Sequence, residues 1–436
     1  MFFFTRQYPS ILKNSPLARD DKFLQFLAFG AFFSQPAAQN AITWFCDCKS
    51  RWIASGRESD WGQMNREEKY RFMDSLLVEF TKELTNDIPH DSRLWLGLSS
   101  GLDSRLLHYS LRKAGVHFKT YTFGQIGDLD FDLSQILSER MGFATTFFDT
   151  SEIRWDLDWY DQVTALVRDH PLSPRVVTAQ LLRKKEGLYI DIHGYLNDSV
   201  TGKRATAEPN NNWPAAKNVF CSNNDTFEFQ QFFRRKSFLQ HLPDTPHVDH
   251  EQLTYDQQLY LGYRQAQRIR PKDYAGMSHI CPFEDWRWVG FWLNRNIPEL
   301  LHQALYIDFI TNLEAEEFFE LQAIRKHGKP ITMKERIAFV YGQCAENLEK
   351  QSKYIGKVLP DKPTGHFNPF ACYQNNKSFR KFVDNTITRT KQRGVFRQGF
   401  VDNAMNKFIS GDKRSFRNIN GIISTDIAIE TGLFPS

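Results

Sequence analysis

Cysteine is scarce in this chain of 436 residues. The six present (Cys46, Cys48, Cys221, Cys281, Cys344 and Cys372) are scattered apart from one C-x-C pair. That excludes a disulfide scaffold and leaves no paired zinc pattern, so a reducing, cytoplasmic setting is expected. Long apolar runs are missing too. The longest, 23–33, spans eleven residues and contains Gln25, about half of what a bilayer crossing needs. Met1 to Arg6 has no basic region ahead of its apolar residues and no small-residue cleavage pattern, so it does not read as a secretory signal. Neither sign of charge dominates: 55 Lys and Arg face 51 Asp and Glu, a net +4. No internal repeat is visible. What the chain does have is apolar material, 41% of residues with 38 Phe among them. A disordered or collagen-like protein is excluded, and a sizeable core is expected. Charge is uneven only near the end. Residues 377–417 hold eleven Lys and Arg against three Asp, which is either a solvated helical face or a patch for phosphate or nucleic acid.

The length suits two or three domains. Residues 1–90 read as a partly helical N-terminal extension, 91–225 as an α/β core and 226–436 as a mainly helical part. Helices are expected over 21–33 and 66–84, the second with Phe72, Leu76, Leu77, Phe80 and Leu84 at three- and four-residue steps. Ile42-Thr43-Trp44-Phe45 has the β-branched and aromatic make-up of a short strand. Leu94-Trp95-Leu96-Gly97-Leu98 then reads as a strand buried on both faces. After it, strands at 117–123, 145–148 and 188–192 alternate with helices over Leu106 to Ala114, 131–141, 156–167 and 174–184. Such alternation implies right-handed crossovers and a doubly wound parallel sheet. Residues 208–225, with three consecutive Asn and two Pro, read as a loop that orders only on binding. Helices are expected beyond it at 253–268, 286–293, 315–325, 333–350, 378–390 and 399–408.

In open α/β sheets, ligands sit at the carboxyl ends of the strands. The first such end carries Ser99-Ser100-Gly101-Leu102-Asp103-Ser104. Small residues let backbone N–H groups approach a phosphate, and the helix that follows adds a favourable dipole. The three hydroxyls can donate further bonds. Asp103 would repel a bare phosphate, which argues for a bridging Mg²⁺. An ordinary helix N-terminus with Asp and Ser in its first turn accounts for the same residues.

Leu98-Ser99-Ser100-Gly101-Leu102-Asp103-Ser104-Arg105 resembles the S-G-G-x-D-S pyrophosphate loop of the adenine-nucleotide alpha-hydrolase superfamily. It is similar specifically to the synthetase domain of the asparagine synthetase family, with relatives in β-lactam synthetase and lasso-peptide cyclases. Further motifs follow in the family's order. Thr122-Phe123-Gly124 and Asp130 resemble the second strand end and the acidic start of the next helix. The run from His193 through Gly194, Asp198 and Gly202 resembles the G-x-G-x-D-E-x-x-G loop. Cys281-Pro282-Phe283-Glu284-Asp285 resembles the P-F-x-D element, with Asn296-Ile297-Pro298 behind it. The resemblance covers about residues 90–300.

The resemblance implies an adenine-nucleotide alpha-hydrolase-like α/β fold and a ligase that makes amide bonds through adenylation. Adenine would lie near Leu98 and Phe123, and the phosphates along Ser99, Ser100, Gly101, Leu102, Asp103 and Ser104, with Gly194 in the second loop. Asp103 and Asp198 would hold Mg²⁺. A small-molecule or peptide carboxylate would attack the α-phosphorus of ATP, and ammonia or an amine would then displace AMP. The family's catalytic lysine has candidates in Lys329, Lys334 and Lys362, with Lys329 placed first. Several positions depart from the family. Ser100 replaces the middle Gly, Leu196 stands at the second Gly of the second loop, and Ser199 replaces the Glu after its Asp. Phe2 stands where glutamine-dependent members have a Cys nucleophile, and about ninety residues are too few for their glutaminase domain. Ammonia from solution or from a separate glutaminase subunit is therefore expected, unless the amine belongs to the substrate. Two alternatives stay open: a tRNA-modifying adenylating enzyme with 377–417 as its phosphate footprint, and a degenerate nucleotide-binding module.

Overall fold

The computed structural model describes residues 17, 20–86, 88, 93–99, 101–125, 129–150, 155, 189–227, 229, 236–271, 273, 277–313, 321–326, 329–332, 369–412 and 415–434. Five strands form one all-parallel sheet: β1 (Arg93–Gly97), β2 (Lys119–Gly124), β3 (Thr145–Asp149), β4 (Tyr189–Ile192) and β5 (Met277–Ile280). Their order is β3-β2-β1-β4-β5. The chain therefore builds outward from β1 to β3 and then restarts on the other side of β1, where Leu96 pairs with Ile192. This is an α/β fold, and the alternation from Leu94 onward is where the sequence puts it. The fifth strand comes from the half expected to be helical, and its Ser278 and His279 give it no apolar signature.

Alternation along the strands separates two cores. Leu94, Leu96, Leu98, Ile190 and Ile192 are buried with Leu106, Leu107 and Leu111 of α5 (Leu102–Lys113) and with Leu133 and Leu137 of α6 (Leu129–Met141). That core extends through α2 (Gln35–Ala54) and α4 (Arg66–Asn86) of the N-terminal segment, with the short α3 (Arg57–Gln63) between them. Trp95, Tyr121 and Phe123 enter the other core, with Phe23 and Phe26 of α1 (Asp21–Phe29).

After β4 come α7 (Asn197–Val200), α8 (Trp213–Asn223), α9 (Lys236–Leu239) and α10 (Tyr255–Leu259), which runs into a π-helix, Tyr260–Ile269. Beyond β5 follow α11 (Trp286–Leu293), α12 (Ile297–Leu300) and α13 (Ala304–Thr311), a hairpin of β6 (Leu321–Lys326) and β7 (Lys329–Thr332), and then α14 (Pro369–Asn375), α15 (Lys377–Arg393), α16 (Gln398–Ile409) and α17 (Ser415–Glu430). Phe379, Phe382 and Val383 of α15 and Ile419, Ile422 and Ile423 of α17 complete the second core.

Three expectations are corrected. Ile42 to Phe45 lies inside α2, not in a strand. Ser34 caps that helix with Pro36 in its first turn, and Ala38, Ile42, Phe45 and Trp52 are buried at helical steps. Within 208–225, residues 213–223 form α8 instead of a loop. Asn212 accepts from the Ala215 N–H, Pro214 sits in the first turn, and Trp213, Ala216 and Phe220 are buried. The Asn run that reads as loop is thus in part a helix cap. In 315–325, residues 321–325 belong to β6, paired antiparallel with β7. The expected helices 156–167, 174–184 and 333–350 lie outside the described residues.

Candidate active site at the β1 and β4 strand ends

Because β1 and β4 are direct neighbours, the loops that follow them lie side by side. β1 ends at Gly97. A Cβ there would sit 3.2 Å from Tyr121 Oη, and its absence lets Tyr121 cross to donate to Asp191 Oδ1 at 3.1 Å. The β1–α5 turn is braced by its own hydroxyls. Ser99 Oγ accepts the Gly101 N–H at 3.0 Å, and Ser104 Oγ accepts the Ser99 N–H at 3.1 Å. Gly101 is the N-cap of α5 and supplies no side-chain bond, so the first N–H groups of that helix have no side-chain cap.

The second loop depends on Leu196, whose φ of 76° is left-handed. A Cβ makes that conformation costly, on the order of 1–2 kcal/mol. It stands at the position where the resembled motif has Gly. The turn it makes opens α7 and buries Asn197 completely. The Asn197 amide then bridges two elements. Its Oδ1 accepts Trp288 Nε1–H at 2.9 Å, and its Nδ2 donates to Asp103 Oδ1 at 2.8 Å. Tyr306 Oη donates to the same Asp103 oxygen at 2.7 Å. Gly194 closes on Asp103, since a Cβ on it would lie 3.1 Å from the Asp103 Cβ. Asp198 is partly exposed and paired with Lys203.

These loops enclose a cavity of about 330 Å³. Of the expected site residues, Leu98, Ser99, Gly101, Asp103, Ser104, Phe123, Gly194 and Asp198 line it together. Leu102 does not, and packs in the core with α5. Ser100, Lys334 and Lys362 lie outside the described residues. Lys329 begins β7, and only its backbone is described. Asp130 is buried in the first turn of α6 and is not part of the lining. Asp285 caps α11 through the Arg287 N–H and pairs with the Arg287 guanidinium. Asn296 caps α12 in a capping box with Glu299. Both of those motif elements do structural work.

The wall also carries Tyr121, Asp191, Pro271 and His279, which no motif pointed to, and Thr122 and His193, which stand in the motifs but were given no role there. Asp191 had a signal, a carboxylate inside the otherwise apolar Tyr189-Ile190-Asp191-Ile192. His279, its register partner on β5, had none. Burial pushes Asp191 up to about 7, opposed by the Tyr121 hydrogen bond. His279 Nε2 lies 3.7 Å from Asp191 Oδ2, and Asp273 accepts the His279 backbone N–H at 2.8 Å. Asp103 is raised well above the ordinary carboxylate range, first by burial and then by the charge of Asp198. The Tyr306 and Asn197 hydrogen bonds and Lys203 pull the other way. Thr122 Oγ1 is buried on the wall with no hydrogen-bond partner among the described residues.

The basic stretch 377–417 is partly neutralised in place. Arg389 and Arg393 bind Asp426 and Glu430 of α17, and Lys391 binds Asp402 of α16. No helix among the described residues is long and apolar enough to cross a membrane. No protein-family model matches the chain, and no curated protein matches it.

Proposed function

We propose that this chain is an ATP-dependent ligase that adenylates a carboxylate and passes the acyl group to ammonia or an amine. One observation carries the reading. Asp103 and Asp198, from the loops after two adjacent parallel strands, line one cavity at the point where the strand order reverses. In a doubly wound sheet, which the order β3-β2-β1-β4-β5 fits, that crevice is where nucleotides bind. The donor set suits a hard cation. The charge of Asp198 adds to the cost of ionising Asp103, and Mg²⁺ is commonly held by one or two carboxylates together with substrate phosphates. Asp103 would use the oxygen that neither Asn197 nor Tyr306 engages.

When bound, Mg²⁺ would neutralise charge on the phosphates of ATP. The chain's own groups would do the rest. The uncapped N–H groups of α5 and the Ser99–Ser104 turn would receive the phosphates, with no reorganisation needed at the moment of reaction. Thr122 Oγ1 and Phe123 would meet the nucleoside. Asn197 and Tyr306 hold the Asp103 carboxylate in one orientation. The substrate carboxylate displaces pyrophosphate from the α-phosphorus to give an acyl-adenylate, and the amine then displaces AMP and gives up a proton. Lys329 is the proposed cation at the phosphorus. The paired state of Arg389, Lys391 and Arg393 speaks against a tRNA footprint on that stretch.

Calorimetry of ATP binding with Mg²⁺ and with chelator tests the reading. Affinity should require the metal, and equal affinity in both would overturn the metal assignment. Asp103→Asn and Asp198→Asn should each lower adenylation, read as pyrophosphate release, by on the order of 10²-fold, or about 2.7 kcal/mol. Because both act on one ion, the double variant should be little worse than the worse single one.

A further inference from the structure

A second cavity of about 160 Å³ also adjoins α7: Asp198 lines the first cavity, and Ser199, the next residue, lines the second. We infer that this second cavity binds a zwitterionic α-amino acid with an apolar side chain. The inference goes beyond the adenylation reading and does not rest on it, because binding is measured without ATP.

Three features of the wall select that ligand. The first is apolar. Val219, Phe220, Leu261, Ile297 and Leu300 line the cavity, and Val219 and Ile297 are among the few large hydrophobics left exposed, at 42% and 37%. A space of this size takes a body of roughly six carbons, since a 150 Å³ apolar cavity accepts benzene. The second is charge of both signs. Arg204 stands over the Tyr260 ring and has no ion-pair partner among the described residues. Asp256 lines the same cavity and accepts two bonds from Asn210, at 2.9 and 2.8 Å, which leaves lone pairs for an ammonium. The third is unmet hydrogen bonding. Ser199 Oγ and Asn224 Oδ1 are buried with no hydrogen-bond partner among the described residues, and Asn224 is only 4% exposed. Burying such atoms unpaired is costly, and an ammonium or carboxylate would satisfy them. A plain hydrocarbon meets only the first feature, and a dicarboxylate would put its second charge on the apolar wall.

Tyr260 and Leu261, both in the wall, open the π-helix, a rare conformation that often marks functional sites. Arg264, one turn on, bonds Tyr260.

The test is calorimetry of the full chain with L-leucine and L-phenylalanine, against 4-methylpentanoate, isopentylamine and L-glutamate. At least one of the two apolar amino acids should bind in the millimolar range or tighter, with each single-charge analogue and glutamate at least tenfold weaker. Arg204→Gln and Asp256→Asn should each weaken amino-acid binding at least tenfold, with the circular dichroism spectrum and melting temperature unchanged. Absence of heat from both amino acids at millimolar concentration overturns the inference. So does equal binding of either single-charge analogue, or unaltered affinity in Arg204→Gln when that variant is folded. MgATP titrated separately keeps the two readings apart: amino-acid binding without any MgATP binding would leave this site standing and remove the adenylation proposal.

Discussion

Asp191 sits in a strand whose neighbours are apolar and is 4% exposed, so it holds its proton to about 7 in the folded chain. An unfolded Asp releases it near 4. The native state therefore binds the extra proton between those values, and stability falls as pH rises through that window. Asp191→Asn keeps an acceptor for Tyr121 and removes the titration. The variant should match the parent near pH 4 and exceed it at pH 8, by at most about 4 kcal/mol and by less if His279 shares the charge. Urea unfolding at the two pH values measures this, and an equal difference at both would refute it. The site was only half legible at this scale. Asp103, Gly194 and Asp198 stand in small-residue loops, where sequence spacing carries chemistry. Asn197, Tyr306 and His279 reach the site through tertiary packing over tens to hundreds of residues, and no local pattern announces such a partner. Leu102 stands in the same motif as Asp103, but the helical turn that starts α5 puts its side chain in the core, so only its backbone can face the site.

At the scale of elements, helices and strands with a strong period were readable and those decided by partners were not. α4, α5, α11, α15 and α16 lie within a few residues of their expected bounds. The strand-like Ile42 to Phe45 became helix because a capped, Pro-started frame around it buries the same residues at steps of three and four. β5 exists because β4 offers it an edge, and nothing in Met277-Ser278-His279-Ile280 would form a strand alone. The short α7 illustrates a tighter constraint. It is held between the left-handed Leu196 and Gly202, whose φ is +98° and whose absent Cβ would lie 2.0 Å from the Leu300 carbonyl oxygen. No side chain fits there. Gly202→Ala should cost on the order of 3 kcal/mol and lower the urea midpoint, because both backbone strain and a backbone clash must be relieved. A variant as stable as the parent would show that α12 can move away freely.

For the molecule as a whole, the faces of the sheet are assembled from different stretches of chain. α5 and α6, the crossovers of β1 to β3, cover one face at short range. The other face, with Trp95 and Tyr121, is covered by α1 and by α15 and α17, and Phe23 of α1 meets Phe434 edge to face at 5.1 Å. Asp426, 1% exposed, ties that cover together by holding Arg389 and Arg393. Asp426→Ala should destabilise by about 3 kcal/mol, since it removes the buried anion of the pair of arginines and leaves them, among the described residues, only the more exposed Glu430. Chemical denaturation measures it, and a loss under about 1 kcal/mol would mean that the arginines simply turn to solvent.

The distance in sequence between the two halves of that cover sets an order of events during synthesis. A ribosome delivers Trp95, Tyr121 and Phe123 long before it delivers residues 377–430. Through most of translation that face of the nascent sheet has α1 but lacks the rest of its cover, which exists only as codons still to be read. Its last folding step is thus a capping event that awaits the final helices, and a stalled or truncated product would offer a wide aromatic surface to chaperones or to its own copies.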